Sequence, residues 1–289
     1  VTQNKRRFTY YQMNVSIPEL ELTWQVPDAL EELSPAKWLK WLELTALTES
    51  GQLSVEELQI AWVCELLDLK TNNKLDRNAQ ENLAYLISQM SHWWPSSPEG
   101  ITLNTTSVYN LYPQLTFKRK IGVRQVLSSF KFHGPGVLLH GLKFGIFIEA
   151  YRVFSDYLKS KNPEAIDYIV KLLYQVPDAY DDHVKKLPEY LKAGIFRYFD
   201  ACINHIQTKP LTLYGQEIPV YQIFQGQGGS NSSELAFEAV LFNVSENGVF
   251  GKVNDLKQQD LHEVLRYLYR KHLEVQEQKK KDAKRKLTR

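Results

Sequence analysis

The stretch from Val137 to Leu158 constrains this chain more than any other. It is the most apolar in the sequence, yet it carries His140, Lys143, Glu149, Arg152 and Asp156. A bilayer span of about 20 residues does not tolerate that many polar groups, so protein rather than lipid must cover it. Leu139, Leu142, Ile146, Ala150, Val153 and Tyr157 recur at helical spacing, and Phe144, Phe147, Tyr151, Phe154 and Leu158 form a second stripe. Two stripes predict burial on two sides, hence the central helix of a C-terminal helical unit. Gly141 and Gly145, four apart, are both expected to admit a second backbone at close range. His133-Gly134-Pro135-Gly136 breaks the chain just before this helix.

The remaining punctuation also reads as helical. Ser34-Pro35 pairs an N-cap serine with proline at the first helical position, and Trp38, Trp41, Leu42 and Thr45 line the helix that follows. Gly51 closes it. Ser54-Val55-Glu56-Glu57 opens the next as a capping box, with Val55, Leu58, Trp62, Leu66 and Leu69 as its stripe. A third helix over about 77–90 presents Ala79, Leu83, Leu86, Ile87 and Met90, and Trp93-Trp94-Pro95 ends it. Before these, Phe8 to Val26 alternates aromatic and polar residues between prolines, predicting two short strands.

Residues 1–100 therefore form an N-terminal unit, and 101–135 read as a connector of turns and short strands. Residues 136–278 form a larger helical unit. Within it, Asn162-Pro163 and Leu187-Pro188 start helices lined by Ile166, Ile169, Val170 and Leu173, and by Leu191, Ile195, Phe199, Cys202 and Ile206. Residues 211–224 read as a hairpin turning at Tyr214-Gly215-Gln216. A helix over 233–246 follows, then a last one from Asp260 with Leu261, Val264, Leu265, Leu268 and Val275 inward. Its polar continuation has no apolar partner and is expected to fray. The fold class is mainly α with minor β.

Composition narrows the function classes. With 43% hydrophobic and 12% aromatic residues, the chain can bury enough apolar surface to fold. Cys64 and Cys202 sit in apolar patterns and read as free buried thiols, the usage of a cytoplasmic chain. Val1 to Ser16 mixes Lys5, Arg6 and Arg7 with tyrosines and lacks the apolar run of a signal peptide. Without secretory context the sequons at Asn104 and Asn231 carry no weight. The net charge of +2 is uneven. Residues 279–289 hold Lys279, Lys280, Lys281, Lys284, Arg285, Lys286 and Arg289 against Asp282, a net of +6, which leaves −4 for the rest.

Candidate chemistry is sparse. Gly226 to Ser233 lacks the lysine of a phosphate-binding P-loop and reads as a plain connection. Asp181-Asp182-His183 offers metal-ligand types, but neighbours on a helix point apart, and a helix N-terminus that favours acids explains them better. Glu149 is the carboxylate of most interest: buried, it would serve an enzyme as a general acid or base, whereas a pair with Arg152 is the simpler account. His133 and His140 flank the central helix with no nucleophile to serve. No cofactor, metal or catalytic set emerges. The tail cations Lys279, Lys280, Lys281, Lys284, Arg285 and Lys286 are the candidate contact to a protein partner or to nucleic acid, and no membrane partner is expected.

Pro27-Asp28-Ala29-Leu30-Glu31-Glu32-Leu33-Ser34-Pro35-Ala36-Lys37-Trp38-Leu39 resembles an opening phrase of uncharacterised tail-assembly and virion-associated proteins of tailed bacteriophages and prophages, with Leu30 where those carry tryptophan. Phe154 to Tyr174 and Glu246-Asn247-Gly248-Val249-Phe250-Gly251 are similar to later phrases of the same proteins. The resemblance implies a multi-helix protein that docks on other structural subunits, in a virion or in host cytoplasm, and it transfers no functional residue. The leading expectation is a non-enzymatic assembly or protein-interaction component, with exposed aromatics meeting the partner. The alternatives are a nucleic-acid-associated protein using the basic tail and an enzyme with a cleft near Glu149.

Overall fold

The computed structural model describes residues 12–27, 29–69, 77–94, 96–97, 100–101, 107–121, 126–213, 215–224 and 253–287. The protein is mainly helical with short antiparallel strand pairs, and it divides into two compact units, Val1–Ser107 and Val108–Arg289. The expected loop at 226–230, the helix over 233–246, the turn residue Tyr214 and the phrase 246–251 lie outside the described residues.

In the first unit, β1 (Gln12–Ile17) and β2 (Leu22–Pro27) pair antiparallel, with Val15 opposite Trp24 and Met13 opposite Val26. Val15, Ile17 and Val26 are buried. The Gln89 side chain, at the end of α3 (Arg77–Gln89), completes a rung of β1: Ser16 N donates to its Oε1 (3.1 Å) and its Nε2 donates to Ser16 O (2.9 Å). α1 (Pro35–Glu49) starts where Lys37 N donates to Ser34 Oγ. α2 (Val55–Leu66) starts on the expected capping box, with reciprocal bonds between Ser54 and Glu57 of 3.2 and 2.8 Å. Lys37 Nζ then caps the other end of α2 by donating to Leu66 O (2.9 Å). Trp41, Trp62 and Trp93 close the core, with ring centroids 4.8–5.4 Å apart. Two-residue strands β3 (Ser96–Ser97) and β4 (Gly100–Ile101) pair after it.

The second unit opens with a long hairpin. β5 (Gln114–Ile121) and β6 (Val126–His133) are eight residues each and run antiparallel, with Gln114 opposite His133 and Phe117 opposite Phe130. The sequence suggested only turns and short strands here. Leu115 and Phe117 are buried, but the alternation is interrupted in sequence where Arg119 and Ser128 take the next positions of that register set. Then follow α4 (Phe144–Ser160), α5 (Glu164–Tyr174), α6 (Asp181–Lys185), α7 (Glu189–Thr208), the pair β7 (Leu211–Leu213) and β8 (Gln216–Ile218), α8 (Val253–Lys257) and α9 (Leu261–Leu287).

The central helix α4 begins at Phe144, not at Leu139, because Leu138 and Leu139 both have positive φ and cannot belong to a right-handed helix. Both stripes are buried in part: Phe144, Phe147, Tyr151 and Phe154 are buried and the last of that stripe, Leu158, is exposed, while in the other Leu139, Leu142 and Ala150 are buried and Ile146, Val153 and Tyr157 half-buried. The two glycines separate in role. A Cβ on Gly145 would lie 2.7 Å from Lys257 Cβ and 3.0 Å from Lys257 O, so α8 crosses there at a distance only glycine allows. Gly141 faces open space and is required by its φ of +79° instead. α7 buries Leu191, Ile195, Phe199, Cys202 and Ile206, as its periodicity predicts.

α9 does not fray where its apolar partners end; it stays helical through Leu287. Glu, Gln, Lys, Arg and Ala all propagate a helix well. Lys271–Glu274 (2.7 Å) and Gln278–Asp282 (3.0 Å) bridge successive turns, and cations near a helix C-terminus offset its dipole. Among the described residues no helix is long and apolar enough to cross a membrane.

Candidate functional site

Polar groups concentrate around the strap that joins β6 to α4. Leu138 (φ 52°, ψ 39°) and Leu139 (φ 63°) are consecutive left-handed residues, each costing about 1–2 kcal/mol relative to an ordinary conformation. Long-range hydrogen bonds hold them there. Leu138 N donates to Val108 O (2.9 Å), and His262 Nε2, on α9, bonds Leu138 O (2.7 Å). Tyr198, on α7, donates its hydroxyl to Gly136 O (2.6 Å) and accepts from Leu139 N (3.3 Å). The Leu139 side chain is fully buried beneath.

The same nest holds Cys202, whose Sγ lies 3.7 Å from Val108 O, and Asn110, whose Nδ2 donates to Pro135 O (2.7 Å). The Tyr174 hydroxyl donates to Tyr112 O. Gly134 makes room for this cluster, since a Cβ there would sit 2.6 Å from Asn110 Nδ2 and 2.8 Å from the Tyr174 ring.

Burial sets the protonation states. It pushes the Cys202 thiol up to about 12, raises Tyr198 and Tyr174, and holds His262 below the ordinary histidine value. A thiol so raised is not a nucleophile near neutral pH. His262 faces a carbonyl, so its Nε2 carries the proton, and the His140 ring stands 5.6 Å from it. In this arrangement the thiol, hydroxyls and imidazole are engaged with main-chain carbonyls, and their work is to hold the strap in shape.

The residues singled out from the sequence are dispersed. Glu149, on α4, is bonded across to α5: the Tyr168 hydroxyl donates to its Oε1 at 2.5 Å, and this bond raises the Tyr168 pKa. The bond Glu149 makes is thus an inter-helix one, to Tyr168, where an in-helix pair with Arg152 was expected. Glu149→Gln keeps an oxygen able to accept from Tyr168, so it is expected to cost less than about 1 kcal/mol in urea denaturation. A loss of several kcal/mol would mark an ionised acid held by stronger forces.

Asp181 and Asp182 occupy the first turn of α6, as expected for acids at a helix N-terminus. Lys171 Nζ is clamped between Asp178 Oδ1 (2.5 Å) and Asp181 Oδ1 (2.7 Å); these bonds raise Lys171 and lower Asp178. His183 turns the other way, its ring 5.4 Å from Phe117 and 5.6 Å from Tyr180, within an aromatic cluster that also holds Phe130 and Phe132. Among the described residues no group of three His, Cys, Asp or Glu is placed to hold a metal ion. His133 is exposed at the end of β6.

Charge separates the two units more sharply than it separates tail from body. Residues 1–107 hold 8 Lys and Arg against 14 Asp and Glu, a net of −6; residues 108–289 hold 27 against 19, a net of +8. Lys279, Lys280, Lys281, Lys284, Arg285 and Lys286 belong to the last turns of α9, and at 100° per residue these positions encircle the helix. A second basic run was missed in the sequence. From Val108 to Ile148 there are six Lys and Arg and no Asp or Glu, a bias readable from composition alone. The Tyr198–Cys202–His262 nest left no such trace, since only folding brings its members together. No family model, curated protein or solved structure matches the chain.

Proposed function

We propose that this protein is a non-enzymatic assembly component that docks on another protein subunit through the outer half of α9. One observation carries the reading: the inward stripe of α9 outruns the body it packs on. Leu261, Val264 and Leu265 are fully buried, Leu268 and His272 are half-buried, and Val275, next in the same row, is 52% exposed. Leu273, about 200° around the helix from Val275, is 41% exposed. From Leu273 to Leu287 the helix extends about 22 Å at 1.5 Å per residue. Apolar side chains exposed on a helix that continues beyond its own core suit a groove on a partner, and the cations that follow suit an acidic rim. The phrases resembling phage tail and virion proteins point to a structural subunit as that partner.

Co-expression with the products of neighbouring genes, followed by size exclusion with light scattering, tests this. A defined complex is expected with one of them. Leu273→Glu together with Val275→Glu should abolish it while leaving the melting temperature unchanged, because both side chains are exposed. Elution of the chain alone beside every neighbour's product, or a complex that survives both substitutions, would refute the assignment.

A further inference from the structure

We infer that the β5–β6 hairpin is a binding ribbon for double-stranded DNA, independent of the docking role of α9. Gln114 Nε2 donates to Thr116 Oγ1 (3.0 Å), which places these two residues on one face, and Lys118 and Lys120 take the next alternate register positions of the same strand. The register sets Lys131 opposite Thr116, Ser129 opposite Lys118 and His133 opposite Gln114, so the same face continues across β6. Thr116, Ser129, Lys131 and His133 are exposed, while the opposite face buries Leu115 and Phe117 against the body. The result is a two-stranded ribbon about 26 Å long at roughly 3.3 Å per residue, with Lys131, Thr116, Ser129 and His133 exposed and Lys118 and Lys120 at alternate register positions of β5.

The occupant follows from charge and shape. No carboxylate occurs between Val108 and Ile148, so nothing on the hairpin offsets its lysines or competes with a polyanion. The major groove of B-form DNA, about 12 Å wide, admits a two-stranded ribbon, whereas the deep, narrow major groove of A-form RNA does not. Lysine ammonium groups supply phosphate contacts. Thr116, Ser129 and Gln114 supply the neutral hydrogen bonds that position a ribbon on the backbone. The aromatic cluster of Phe117, Phe130, Phe132, Tyr180 and His183 anchors the base of the hairpin to the body.

Fluorescence anisotropy of the full chain with a labelled DNA duplex of about 20 base pairs tests the assignment across a salt series. The unaltered protein is expected to bind, with affinity falling as salt rises. Lys118→Gln/Lys120→Gln/Lys131→Gln should weaken binding at least tenfold at low salt and lower the salt slope by about 0.9 per lysine that contacts phosphate. Lys131→Gln alone, at an exposed position, should shift affinity in the same direction by less, which keeps the test valid if the triple variant folds poorly. Lys279→Gln/Lys280→Gln/Lys281→Gln, on α9, should leave most of the affinity in place. Absence of DNA binding would overturn the proposal, as would equal affinity for an RNA duplex of the same sequence, or loss of binding with the α9 variant but not with the hairpin variants.

Discussion

Trp62→Ala is expected to destabilise the first unit by about 3–5 kcal/mol, the range for removing a fully buried large aromatic side chain from a core. Trp62 is inaccessible to solvent and touches both other tryptophans of the cluster, tilted on Trp41 and edge-on to Trp93, with centroids 4.8 and 5.3 Å away. Its removal takes away transfer energy and leaves a void that the rigid indoles on either side cannot collapse to fill. The Nε1 groups of Trp62 and Trp93 are buried without a hydrogen-bond acceptor among the described residues, and the edge-to-face packing lets π faces compensate them in part. Trp62→Phe should therefore cost less than Trp62→Ala, since it keeps an aromatic face and deletes a donor that had no acceptor. Urea titration followed by far-ultraviolet circular dichroism reads both; a cost below about 1 kcal/mol for the alanine variant would show that the cluster does not hold the unit together.

Gly145→Leu is expected to cost about 3 kcal/mol or more, at the upper end of overpacking effects. The obstruction is main chain as well as side chain. Lys257 O lies 3.0 Å from the position of a new Cβ, and that carbonyl cannot swing away as a lysine tip would. Nor can the two segments slide apart. Phe144 N donates to Gln259 O (2.8 Å) and Leu261 N donates to Leu142 O (2.9 Å), the two bonds of a β-bridge between Lys143 and Asp260 that ties the segments together immediately before the glycine. Gly141→Ala makes the control: its cost should be about 1 kcal/mol, from φ alone, because no atom lies within 4 Å of the new Cβ. Equal melting temperatures for Gly145→Leu and the unaltered protein would remove the close crossing from the fold.

These two glycines illustrate what the sequence made legible. Spacing marked Gly145 as a point of close approach because helical contacts are local in period, but it marked Gly141 for the same reason and wrongly. Dihedral demand at Gly141 comes from the left-handed strap before it, and no pattern in the sequence announces two leucines with positive φ. Helix starts were readable wherever the cap is a local bond, as at Ser34, Ser54 and Asn162, whose Oδ1 accepts from Glu164 N. The long hairpin was not, because Arg119 and Ser128 stand at the register positions that Leu115, Phe117, Phe130 and Phe132 hold elsewhere, and Leu127 at one otherwise polar, which interrupts the alternation of a half-buried strand. The partner of Glu149 was misassigned for a related reason: the in-helix neighbour Arg152 is visible in sequence, and Tyr168, nineteen positions away on another helix, is not.

The pair of left-handed leucines also dictates an order of events during synthesis. A strap with an unfavourable backbone cannot form early as a local nucleus; it must wait for the groups that hold it. Tyr198 lies 59 residues beyond Leu139, and His262 lies 124 residues beyond Leu138. While the chain is still on the ribosome, α4, α5 and α7 can pair as soon as they emerge, but the strap reaches its final shape only after the first turn of α9 has cleared the exit tunnel. Closure of the second unit is thereby tied to the arrival of its last helix, and a nascent chain stalled short of residue 262 should expose the strap to proteolysis that the finished protein resists.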